Sequence, residues 1–122
     1  MRCYSTLRRQ SDFDRVFEHG RWRRERALAL GVVKRHDEEP SRVAFVAGGR
    51  LGRAVRRNRA RRRLREAFHC VAQGLKPGAD IVVLARDHAL DVEFSMLMQS
   101  LSRALAQAGL LEPTERSEGC GS

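Results

Sequence analysis

Phe13, Val16 and Phe17 stand at i, i+3 and i+4 in SDFDRVFEHG (11–20), and that spacing predicts a short helix with one apolar face. Ser11 is placed to cap it, Asp12 and Asp14 lie in its first turn, and Gly20 falls just past its end. The apolar run ALALGVV (27–33) has the length of a strand. A polar turn, KRHDEEPS (34–41), separates it from a second strand-like stretch, RVAFVA (42–47), so 27–47 reads as a hairpin. After the loop LKPG (75–78), ADIVVLA (79–85) is the most strand-like segment of the chain. From Asp91 to Ala108, residues Phe94, Leu97, Met98, Leu101, Leu105 and Ala108 keep the spacing of an amphipathic helix, which Gly109 ends.

Between the second strand and that loop lies RLGRAVRRNRARRRLR (50–65), with nine arginines and no acid. Turned at about 100° per residue, Ala60, Leu64, Ala67, Phe68 and Val71 share one face. Asn58, Arg62, Arg65 and His69 fall opposite, with Arg59 and Arg61 to the sides. The helix is expected to run to about Gln73. Leu51, Ala54 and Val55 are out of phase and are assigned to a turn around Gly52 and the start of the helix. Glu66 can pair with Arg62 at i, i+4. The order is α-β-β-α-β-α, an α+β architecture with helices packed on a sheet of three or four short strands. The pattern does not dictate strand order. One domain over 1–110 is expected, with a polar tail at 111–122 that is disordered.

Charge changes this picture. The net charge is +9, and the arginine segment carries all of it, because the remaining Lys and Arg equal the Asp and Glu in number. Like charges packed on one helix without interleaved acids repel, which favours a polyanionic partner over a merely solvated face. Arginine also grips phosphate in a bidentate way and stacks on bases. Asn58 can donate and accept at once on that face, whereas an arginine could only donate. Cys3, Cys70 and Cys120 are far apart, and the absence of CxxC, HxxxH or HExxH argues against zinc and disulfides. His19, His36, His69 and His88 have no Asp or Ser partner at motif spacing, which disfavours acid–base catalysis by the protein. Asp12 and Asp14 read as helix N-terminal charges rather than metal ligands. No run of about 18 apolar residues is present, and the N-terminus lacks the apolar core of a signal peptide. An intracellular soluble protein is expected.

RVAFVAGGRLGRAVRRNRARRRLREAF resembles the signature of the bacterial ribonuclease P protein family. The core is Arg57-Asn58-Arg59, followed by basic Arg61, Arg62 and Arg65 and then Glu66-Ala67-Phe68. LRRQSDFDRVFEHG is similar to the family's N-terminal helix and ADIVVLAR to its last strand, so the resemblance covers roughly residues 7 to 108. It implies a small α-β sandwich with a left-handed β-α-β crossover. The implied function is that of the basic subunit of a ribonucleoprotein endonuclease that removes the 5′ leader from precursor tRNA, its RNA being the catalyst. The implied partners are that catalytic RNA and precursor tRNA, with no membrane, no obligate protein partner and a cytoplasmic location. Magnesium would be held mainly by the RNA, with no catalytic or metal-binding residue in the protein.

Carried onto this sequence, the resemblance assigns RNA binding to Arg50, Arg53, Arg57, Asn58, Arg59, Arg61, Arg62 and Arg65. Phe13, Phe17, Arg9 and Arg86 become candidates for a separate cleft that takes the single-stranded leader. Two positions depart from the family. Gly48-Gly49-Arg50 stands where a Ser-Lys-Lys-like stretch is usual, and Gly31 where the strand lining the cleft tends to carry an aromatic. Phe13 and Phe17 fit core packing as well as base stacking. RWRRER (21–26) reads equally as an exposed turn or as a loop that grips phosphates. The rival function is a non-enzymatic RNA-binding protein, such as a ribosomal or RNA-chaperone protein. A DNA-binding helix is disfavoured because no helix-turn-helix or heptad segment accompanies the basic helix. The discriminating feature is a second binding surface beside Phe13 and Phe17, distinct from the arginine face.

Overall fold

In the computed structural model, which describes residues 4–48 and 51–111, a five-stranded sheet carries helices on both faces. The elements are β1 (Tyr4–Thr6), α1 (Gln10–His19), β2 (Arg21–Arg24), β3 (Leu28–Lys34), β4 (Ser41–Ala47), α2 (Ala54–Val71), β5 (Ala79–Ala85) and α3 (Phe94–Gln107). Two of these strands, β1 and β2, go beyond the predicted order. They are short and polar, with little periodicity to read, and they form the two edges of the sheet. The expected disordered tail lies outside the described residues from Glu112 onward, and Leu110 and Leu111 are buried in the core.

The strand order is β1-β4-β5-β3-β2. β3 and β4 therefore do not pair, and the expected 27–47 hairpin is not formed. β5 lies between them, antiparallel to β3 and parallel to β4. The reason is the composition of β5: a strand apolar on both faces is most stable in the centre, covered on both sides. Ile81 and Val83 enter the main core, and Val82 enters a smaller core on the opposite face. The main core joins the sheet to α2 and α3 through Leu64, Phe68, Leu97, Leu101 and Leu105, and the smaller one joins it to α1 through Val16. α2 thus makes a crossover between the adjacent parallel strands β4 and β5.

Residues 35–40 must span the start of β5, and their backbone shows how. Arg35 N–H donates to the Gly78 carbonyl at 2.7 Å, and Gly78 N–H donates to the Glu39 carbonyl at 2.8 Å. Gly78 has φ +90°, and a Cβ there would stand 2.5 Å from the Asp37 carbonyl oxygen, so only glycine fits. The Arg35 guanidinium donates to Asp37, Asp80 and the Ala79, Glu39 and Pro40 carbonyls. The hydrogen bond from Arg35 holds the exposed Asp37 carboxyl below its ordinary value of 3.8, and the same contact raises Arg35. A depressed carboxyl stabilises the fold above its ordinary value and loses that contribution as pH falls through the folded one. Asp37→Asn is therefore expected to flatten the acid limb of stability below pH 3.8, read by denaturant midpoints against pH; a superimposable limb would refute this.

The helix ends differ in detail from the pattern. Arg9, not Ser11, occupies the N-cap of α1, and no side chain bonds there. Ser11 is already inside the helix, because the Asp12 and Phe13 amides donate to the Arg9 carbonyl. Gly20 is required for space: a Cβ would lie 2.4 Å from the Val16 carbonyl oxygen. α3 starts at Phe94, three residues later than the periodicity suggested, and ends at Gly109 with φ +80° as expected.

Candidate nucleic-acid interface

α2 owes its orientation to its apolar back. Ala60, Leu64, Ala67 and Phe68 are fully buried, which turns the opposite side to solvent. Asn58, Arg59, Arg62, Arg65 and His69 are exposed there, Arg57 and Arg61 are half-buried, and Arg53 is exposed at the N-cap. Arg50 lies outside the described residues. Leu51 is buried in the core, whereas Val55, one turn on, is 69% exposed. Arg61 donates a hydrogen bond to the Asn58 side-chain oxygen. That leaves the Asn58 NH₂ free to donate outward, so the pair offers donors in two different geometries. Arg65 lies over the Phe45 ring with its guanidinium carbon 5.8 Å from the centroid, a cation–π contact that limits its rotamers. Arg62 and Glu66, which could pair at i, i+4, form no ion pair among the described residues, and both are exposed.

Not every arginine of the segment belongs to this face. Arg56 donates to the Leu51 carbonyl at 2.9 Å, holding the turn before the helix. Arg63 donates to the Ala89 and Val92 carbonyls, each at 2.8 Å, and pins the turn before α3. Their donors satisfy backbone carbonyls outside regular secondary structure.

The other face of the sheet is organised around α1. Phe13 is half-buried against the smaller core, so its ring mainly packs. Phe17 is 50% exposed and stacks on Trp22 with centroids 5.3 Å apart and planes 28° apart. Trp22 sits on β2, not in a loop, because 21–24 pairs with 29–32 of β3 as an edge strand. Its partner in register is Gly31, and a Cβ at Gly31 would stand 2.5 Å from the indole ring. The glycine that removes an aromatic from the strand thus makes room for the one on its neighbour. No local pattern in RWRRER places Trp22 on a strand. The signal was a single aromatic among arginines, whose position depends on a strand pairing.

The remaining leader candidates lie apart from this stack. Arg9 is at the opposite end of α1, about 12 Å along the axis from Phe17 at 1.5 Å per residue. Arg86 follows β5 and donates to the Glu25 carbonyl at 2.9 Å. It lines a shallow polar depression with Arg24, Glu25, Arg26, Asp87 and His88. Arg24 alternates onto the same sheet face as Trp22, while Arg23 points to the other and donates to the Gln107 carbonyl.

Asp12 is more than an N-terminal helix charge. It is 5% exposed, with Arg42 at 3.2 Å and Arg15 at 3.7 Å, beside a fully buried Asp80. Asp80 accepts from Arg35 at 2.6 Å and from Arg42 twice at 2.9 Å. This cluster fixes α1 against β4 and β5, and with it the Phe17 side of the sheet.

The family model for ribonuclease P matches residues 1–109. A ribonuclease P protein component from Symbiobacterium thermophilum is 42% identical over 106 residues, covering 87% of this chain and 92% of that protein. One from Chloroflexus aggregans is 39% identical, covering 94% of this chain and 85% of that protein. Among solved structures, the ribonuclease P protein of Staphylococcus aureus superposes with a TM-score of 0.72 at 27% identity, over 86% of this chain and 95% of that one. That of Thermotoga maritima gives 0.72 at 27% identity, over 84% and 96%.

Proposed function

The chain belongs to the ribonuclease P protein family, and on that premise we propose that its two faces divide the work of this tRNA-processing endoribonuclease between catalytic RNA and substrate. The protein is a subunit whose partner is RNA. The arginine face of α2 docks the catalytic RNA through phosphates. The α1 face, with Phe17, Trp22 and Arg24, takes the single-stranded 5′ leader of precursor tRNA, with Arg86 beyond the stack at the end of β5. The observation that carries this reading is the separation of two surfaces by the sheet. One is rich in arginine on α2; the other joins the exposed Phe17 and the half-buried Trp22 to cations beside α1. A single-surface RNA-binding protein has no need of the second.

Chemistry is left to the RNA. Among the described residues no group of three or more His, Cys, Asp or Glu side chains could hold a metal ion. The buried carboxylates of Asp12 and Asp80 face arginines, a donor set unsuited to a divalent cation. In this reading the magnesium ions of the reaction are held mainly by the partner RNA, and the protein's positive charge lowers the concentration they require. No helix among the described residues is long and apolar enough to cross a membrane, and a cytoplasmic site of action suits a precursor-tRNA substrate.

Reconstitution tests this. With a bacterial ribonuclease P RNA at limiting magnesium, adding the chain is expected to stimulate 5′-leader removal from precursor tRNA by at least about tenfold, one power of ten being 1.4 kcal/mol of transition-state stabilisation. RNA binding without stimulation would favour the non-enzymatic rival.

A further inference from the structure

We propose that the β2 edge of the sheet, with the adjoining surface of α3, is an outer track for the phosphates of leader nucleotides upstream of those held on the α1 face. The proposal rests on the leader reading above and extends it around the sheet edge to Arg21, Arg23, Arg26 and Arg103. Residues 21–26, RWRRER, hold four arginines and one acid, Glu25. Side chains alternate along β2, so Arg21 and Arg23 turn to the α3 side while Trp22 and Arg24 turn to the α1 side. Two contacts stitch this side to α3. Arg23 donates to the Gln107 carbonyl at 3.0 Å, and one helical turn earlier Arg103 donates to the Glu25 carboxylate at 3.2 Å. Stitching accounts for Arg23 and Arg103, each with further N–H groups left over. It does not account for Arg21 and Arg26, which are exposed and whose guanidinium groups make no hydrogen bond or ion pair among the described residues. The acid of the segment is already paired with Arg103, and Asp87 is the other carboxylate beside Arg26. Arginines gathered in this excess repel one another until an anion joins them.

The occupant follows from where the patch lies. α3 packs on α2 and on β3, and so stands between this edge and the arginine face of α2. The patch is therefore no continuation of that face. It is continuous instead with the leader side, because a single four-residue strand carries Trp22 and Arg24 on one face and Arg21 and Arg23 on the other. A flexible single strand leaving Arg24 crosses the width of one backbone to reach Arg23, whereas a rigid duplex cannot turn that edge. As an edge strand, β2 also leaves alternate N–H groups without a partner in the sheet, further donors for phosphate. No aromatic side chain stands among Arg21, Arg23, Arg26 and Arg103, so the track holds the RNA backbone and is indifferent to base sequence.

Precursor tRNAs that share one body and carry leaders of about 4, 8 and 12 nucleotides, within the usual range of single-strand site sizes, test this. They are bound to the holoenzyme reconstituted from the full chain and a bacterial ribonuclease P RNA. Affinity of the parent is expected to rise across the series. Arg21→Gln combined with Arg26→Gln removes two charges without touching the stitches to α3. This variant should bind the shortest-leader substrate as the parent does and the longest about fivefold more weakly at low salt. Its salt slope on the longest leader should flatten by about 1.4, the value for two phosphates on a single strand. A leader of equal length and different sequence should show the same loss. Equal losses on the shortest and longest leaders, no loss on either, or weaker binding of the catalytic RNA alone overturns the proposal. A parent holoenzyme that binds leader-bearing and leaderless substrates alike removes the leader reading itself. A parent and a variant that gain equally from leader length remove only the outer track.

Discussion

Replacing Arg62 and Arg65 together by alanine is expected to weaken binding of the ribonuclease P RNA by about a hundredfold and to flatten its salt dependence by about two in log–log slope. Both side chains are exposed on the side of α2 opposite the buried Ala60, Leu64 and Phe68, so neither holds the core. A hydrogen bond to a charged group contributes about 1.5–3 kcal/mol, which sets the size of the loss. Each lost phosphate contact also removes about one released counterion, which sets the slope. The informative comparison is Arg63→Ala. It removes one positive charge from the same helix, but Arg63 is committed to the Ala89 and Val92 carbonyls. It should lower stability and leave the salt slope unaltered. Equal slopes for the double variant and the parent would sink the phosphate assignment.

The second large effect belongs to Asp80. Asp80→Ala should cost about 3–5 kcal/mol, because removing the central carboxylate of a buried ionic group leaves charged donors of Arg35 and Arg42 without their acceptor. Arg35 and Arg42 together make three hydrogen bonds to this carboxylate, which has no solvent exposure. A domain with about 5–15 kcal/mol in total would be left marginal. Chemical denaturation reads the loss directly, and a change below about 1 kcal/mol would show that the cluster is dispensable. Because Arg42 also meets Asp12 of α1, the variant should first loosen the leader side of the sheet. Under conditions where it remains folded, RNA binding by α2 should persist, since α2 packs on the other face through a separate core.

These two effects differ in how visible their causes were in the sequence. Arg62 and Arg65 follow from helical phase: a residue's face on a helix is set by neighbours three and four positions away. Asp80 carried no such sign. It reads as one polar residue at the start of an apolar strand, and its partners Arg35 and Arg42 are more than thirty positions earlier. Arg63 shows the same divide within one helix. Its phase allows either role, and the turn at 89–92 decides which.

The hairpin is the clearest instance of a local rule overridden. ALALGVV and RVAFVA, joined by a polar turn, satisfy everything local that a hairpin requires. A third strand, apolar on both faces, gains more from the centre of the sheet than the two gain from each other, and no local rule weighs that competition. Likewise RWRRER has the composition of a loop. It becomes a strand because β3 exposes an edge for it to pair with.

The sequence by itself determined the helices, the apolar strands, the arginine face and the family, because these depend on short-range periodicity and on a motif of consecutive residues. Tertiary structure alone decided the central place of β5, the burial of Asp12 and Asp80 among arginines, and the seating of Trp22 on Gly31 beside Phe17. Each of these joins residues distant along the chain, and their contact energies exist only once the sheet has chosen its order.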